Sequence, residues 1–98
     1  MVYNWFMNTQ DLLKQEREIW GDKKQTLEHI AICMGKPYGD ICEQARSKIE
    51  TGKFDEVELK KELGNTVAST IRFIDDLGYD VEECINLALD SQRAYKRL

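Results

Sequence analysis

The chain has 98 residues, of which 42% are hydrophobic and 33% charged, and carries a formal net charge of −4. That length holds one domain with a thin core, and the hydrophobic share excludes an intrinsically disordered chain. Eighteen acids against 14 bases, with no basic stripe, argue against nucleic acid as a partner.

Six glycines and one proline are too few for the turns of an all-β fold, so the expected class is all-α. No apolar run reaches the length of a membrane span, and the opening "MVYNWFMN" has no signal-peptide pattern. These features predict a cytoplasmic protein without membrane association. Cys33, Cys42 and Cys84 form no CxxC pair and are expected to be small buried apolar residues in a reducing compartment.

Four helices are expected in chain order. Asn8 or Thr9 caps a first helix that carries Leu12, Leu13, Ile19 and Trp20 and stops at Gly21. A second begins near Thr26. Its apolar stripe (Leu27, Ile30, Ala31, Met34, Tyr38, Ile41, Ala45 and Ile49) runs through Pro37 to Gly52, which predicts one kinked helix rather than two.

The third runs from Glu56 to Leu77, with Leu59, Leu63, Val67, Thr70, Ile71 and Ile74 as its apolar side and Gly78 as its stop. Asp80 and Glu83 start the fourth, which ends near Tyr95. With short connections and no internal repeat, residues 1–98 form a single domain, most simply an antiparallel four-helix bundle. The aromatic "VYNWF" before the first helix is a candidate contact surface for a second copy.

Two polar pairs stand out. Asp40 and Glu43 lie three apart on the second helix, and Glu62 and Asn65 lie three apart on the third. Residues at that spacing share a helix face, so antiparallel packing would aim three carboxylates and an amide oxygen at one point. Hard oxygen donors of this kind suit Mg²⁺ or Mn²⁺ and not zinc. The competing reading is a solvated face, because on a helical wheel both pairs fall opposite the apolar stripes. Gly39 and Gly64 sit beside these acids at a cost of about 1 kcal/mol each relative to alanine, which suggests close approach of a helix or ligand or, for Gly39, a kink beside Pro37.

The segments "GDICEQA", "ELGN" and "LGYDVEECI", preceded by "WGDKKQT", resemble the MazG-like all-α nucleoside triphosphate pyrophosphohydrolases from Trp20 to the last helix. That family pairs E-E-x-x-E on one helix with E-x-x-D on the next to bind Mg²⁺. Here Gly39 stands at the first acid, Asp40 at the second and Glu43 at the third. Glu62 is kept, and Asn65 replaces the aspartate.

The resemblance implies hydrolysis of a nucleoside triphosphate to the monophosphate and pyrophosphate, in a homodimer or homotetramer. Asp40, Glu43, Glu62 and Asn65 would hold the metal, and Asp40, Glu43 and Glu62 would carry the catalysis. Trp20 would stack on the base, and Lys36, Arg46 and Arg72 would contact phosphate. The alternatives are a degenerate relative that binds nucleotide or a protein partner without turnover, or a helical module whose acids are only surface. His29, the only histidine, reads as a partly buried packing residue.

Overall fold

The computed structural model describes residues 7–97; the aromatic segment "VYNWF" lies outside them. Four helices follow in order: α1 (Thr9–Trp20), α2 (Leu27–Thr51), α3 (Glu56–Asp76) and α4 (Val81–Lys96), with no strand among the described residues. Each start is capped by a polar side chain, at the places the sequence suggests for α1, α2 and α4, and by Asp55 for α3. Asn8 Oδ1 accepts from the Asp11 amide at 2.8 Å, Thr26 Oγ1 from His29 at 3.2 Å, and Asp55 and Asp80 carboxylates from Glu58 and Glu83 at 3.0 Å each. Gly52 ends α2 in the left-handed conformation (φ 77°, ψ 1°) that only glycine adopts freely.

α2 is continuous through Pro37. Proline has no amide hydrogen, so the carbonyl one turn earlier loses its donor, a cost of about 3 kcal/mol in an exposed helix. The short α2–α3 connection is held by Gln44, whose Oε1 accepts from the Asp55 amide at 2.8 Å, and by Ser47, whose hydroxyl donates to the Lys53 carbonyl at 2.7 Å. α3 touches each of the other three helices, most extensively α2, then α1, and only sparsely α4.

The interior is unusual in composition. Its buried apolar residues are Ile30, Ile71, Phe73 and Val81, matched by the buried charged residues Glu16, Glu62, Arg72 and Asp76. α3 thus keeps part of its expected apolar side inward, with Ile71 buried and Leu59, Thr70 and Ile74 partly covered, but it buries part of its polar side as well. Glu62 and Arg72 are only 5% and 7% exposed, whereas Leu63 and Val67 of the apolar stripe are 49% and 61% exposed. α2 is turned in the same sense. Ile30, Cys33, Pro37, Asp40, Ile41 and Gln44 are covered at least in part, while Leu27, Met34, Tyr38 and Ile49 face outward. Of the cysteines, Cys33 and Cys84 are half-buried and Cys42 is exposed, so none is the buried residue expected.

Ion pairing explains why polar surface faces inward. Arg17 Nη2 on α1 donates to Asp75 Oδ2 and Asp76 Oδ1, both at 2.6 Å, and Lys24 Nζ reaches Asp75 at 2.9 Å. The Asp76 side chain is completely buried, and its Oδ2 is sealed without a partner, so Arg17 alone compensates this charge. Hydrogen bonds from Arg17 and then Lys24 hold the Asp75 carboxyl below the usual carboxylate range. Its stabilising effect is complete above the unfolded-state value and fades as pH falls through the lowered folded-state one.

Replacing Arg17 by methionine strands the buried Asp76 charge. Arg17→Met is expected to cost about 3 kcal/mol, seen as a fall in Tm of roughly 10–20 °C for a domain this size. Lys24→Met, at an exposed pair, should move Tm by no more than about 3 °C. Equal shifts in the two variants would show that Arg17 is not the dominant tie.

Candidate functional site

One open cavity of about 520 Å³ lies between α1, α2 and α3. α1 contributes Glu16, Ile19 and Trp20, and the following connection contributes Gln25. α2 contributes His29, Cys33, Lys36, Pro37 and Asp40; α3 contributes Glu62, Asn65, Ser69, Arg72 and Phe73. On α2 and α3 these positions recur every three or four residues, so each helix offers one continuous stripe to the cavity.

Six residues singled out in the sequence thus come together: Trp20, Lys36, Asp40, Glu62, Asn65 and Arg72. Two do not. Glu43 is exposed and outside the lining, and Arg46 bonds Glu50 along the outer surface of α2 at 3.0 Å. Glu62 and Arg72 are not the solvated residues that the helical wheel suggests, because α1 and α2 cover them. His29 is exposed and lines the cavity instead of packing into the core. The glycines also differ from expectation. A Cβ on Gly39 or Gly64 would meet nothing within 4 Å, so no helix of the described chain approaches either closely.

Each carboxylate in the cavity already has an intrachain partner. Lys36 Nζ donates to Asp40 Oδ2 at 3.1 Å. Asn65 Nδ2 donates to Glu62 Oε1 at 3.4 Å, with Lys61 Nζ 3.5 Å from the same oxygen. Arg72 Nε donates to Glu16 Oε1 at 3.2 Å, and both side chains are 9% exposed. The Arg72 guanidinium carbon lies 5.1 Å from the Trp20 ring centroid and 4.7 Å from that of Phe73, within cation–π range of both.

Glu16 was not singled out in the sequence, although the signal was present. It falls four residues after Leu12 and four before Trp20, a charge in phase with apolar positions, and such a charge is buried only if paired.

Among the described residues, no three histidine, cysteine or carboxylate side chains converge in a way that would hold a metal by themselves. Asp40, Glu62 and Asn65 all line the cavity, and Mg²⁺ commonly takes only one or two carboxylates from a protein, with waters and substrate phosphates filling the rest. No protein-family profile, curated protein or solved structure matches the chain. No described helix is long and apolar enough to cross a membrane.

The Asn65 amide supports Glu62 as a donor, and an aspartate there would repel it. Asn65→Asp is therefore expected to lower stability in chelator by about 1–3 kcal/mol, and millimolar Mg²⁺ should restore most of the loss. Thermal denaturation with and without Mg²⁺ reads both effects. A variant as stable as the parent in chelator would remove Asn65 from the support of Glu62.

Proposed function

We propose that this chain is a MazG-like, Mg²⁺-dependent nucleoside triphosphate pyrophosphohydrolase. The observation that supports this best is the meeting of Asp40 on α2 with Glu62 and Asn65 on α3 in one cavity, beside Trp20. Mg²⁺ carried by the triphosphate supplies charge neutralisation and acidifies bound water. Glu62 and Asn65 would hold that Mg²⁺ through their oxygens and so position the phosphate chain it carries. Asp40, partly exposed and held only by the mobile Lys36 side chain, accepts the proton of the attacking water. That water forms a bond to the α-phosphorus, and the bridge to the β-phosphate breaks to release pyrophosphate. Trp20 offers an indole face to the base.

Two observations favour binding without turnover as the second reading. Glu43 stands outside the cavity, and Lys36 rather than a further acid faces Asp40. Incubation with a panel of nucleoside triphosphates and Mg²⁺, with pyrophosphate release as the readout, separates the two. Turnover of at least one nucleotide is expected, and Glu62→Gln should reduce it by about 100-fold or more. Saturable binding of an analogue blocked between its α- and β-phosphates, with no release from any nucleotide, would leave the second reading.

The assembly proposed with this function is a homodimer or homotetramer. Tyr38 and Ile49 of α2, Val57 and Val67 of α3, and Leu87 of α4 are all more than 60% exposed, too many large apolar side chains for one chain to leave in water. Sedimentation at micromolar concentration should give at least twice the chain mass of 11.4 kDa, and Val67→Glu should lower it. A wild-type monomer would exclude the assembly.

A further inference from the structure

We propose that Arg72 is a fixed, metal-independent receptor for a phosphoanhydride group in the cavity, and that Glu16 is its positioning residue. This deepens the nucleotide reading given above and rests on it for the identity of the natural ligand.

The argument starts from donor bookkeeping. Arginine carries five N–H donors in a planar fork and cannot be neutralised in a protein. Arg72 is 7% exposed, yet among the described residues its only hydrogen bond is from Nε to Glu16. Its two Nη groups, with four N–H donors between them, have no such partner. They are not sealed either, since the one sealed side-chain atom lacking a partner among the described residues is Asp76 Oδ2. As Arg72 lines the cavity, the open space its Nη edge meets is the cavity itself.

Donors of a cation that face such a cavity hold water in the free protein, and an anion that displaces this water gains charge-assisted hydrogen bonds. The neighbouring carboxylates are poor candidates. Asp40 is engaged by Lys36, Glu62 by Asn65 and Lys61, and Glu16 occupies the Nε edge. An anion from outside is left, and the fork geometry suits the paired oxygens of a phosphoryl group.

The surroundings also hold the fork still. The Trp20 and Phe73 rings lie 5.1 and 4.7 Å from the guanidinium carbon, and Glu16 fixes its rotation. Little side-chain entropy is then lost on binding, which favours affinity. Lys36, whose side chain is 81% exposed, can swing to a second phosphoryl group. Trp20 sits against the receptor and reports its occupancy.

The test is titration of inorganic pyrophosphate in EDTA, read by Trp20 fluorescence in a Trp5→Phe background. Because Arg72→Gln alone would leave Glu16 buried and unpaired, the main variant is Glu16→Gln/Arg72→Gln, which replaces the ion pair by a neutral one. Saturable binding is expected in the parent, at least tenfold weaker binding in the double variant, and an intermediate loss in Arg72→Lys, which keeps the charge without the fork. Rising salt should weaken parent binding.

No binding by the parent in EDTA, or equal binding by parent and double variant, overturns the proposal. Failure of the nucleotide reading would show separately, as no release of pyrophosphate from any triphosphate, while Arg72-dependent binding of pyrophosphate persisted.

Discussion

Two ion pairs between α1 and α3 set the arrangement of everything else. Glu16 and Arg17 are adjacent on α1, and Arg72 and Asp76 lie one turn apart on α3. Each helix thus supplies one acid and one base, and they cross-pair. Neither pair tolerates separation, because all four groups are largely or wholly removed from water. This lock turns the charged side of α3 toward α1 and fixes where Glu62 and Asn65 point, since they lie on the same stripe as Arg72. The cavity follows from an inward polar face that cannot close on itself as an apolar core would.

The helices were legible in the sequence almost to the residue, because their ends rest on local chemistry. Asn8, Thr26, Asp55 and Asp80 cap the starts, and Gly21, Gly52 and Gly78 mark the ends through backbone torsions open to few other residues. Continuity through Pro37 was legible for a different reason, since the apolar period keeps phase across it. The facing of the helices was legible only in part: on α3, Leu59, Ile71 and Ile74 are covered as their spacing suggests, whereas Leu63 and Val67 are not. Periodicity shows that α3 has an apolar and a polar side, but not which one a neighbour covers. The usual presumption fails here because Arg72 and Asp76 find partners on α1 that compensate their desolvation.

The same limit governs the site. Spacing put Asp40 with Glu43 and Glu62 with Asn65, and α3 does present its pair to the cavity. On α2 the inward stripe is instead His29, Cys33, Lys36 and Asp40, so Asp40 belongs to it and Glu43 does not. A three-residue spacing places two side chains about 60° apart on a helix, and the edge of a cavity can fall between them. Sequence spacing selects a face only to that angular precision, and the docking of the neighbouring helix decides the rest.

Burying polar groups of α3 leaves part of its apolar side outside, a further cost that the described residues do not recover. Val67 and Ile49 are 61% and 85% exposed, and the space over Gly39 and Gly64 is open. Each glycine gives up about 1 kcal/mol of helix stability relative to alanine, and nothing among the described residues makes use of the room that this leaves. α4 adds to the imbalance, because it packs sparsely on α3 and exposes Leu87 and Tyr95. Bare apolar faces and unused glycine clearances are separate signs, one energetic and one steric, yet the second copy proposed above would account for both. In such an assembly the ion pairs would serve as an inner layer that shapes the cavity, and the apolar contacts between chains would supply the buried area that a thin core lacks.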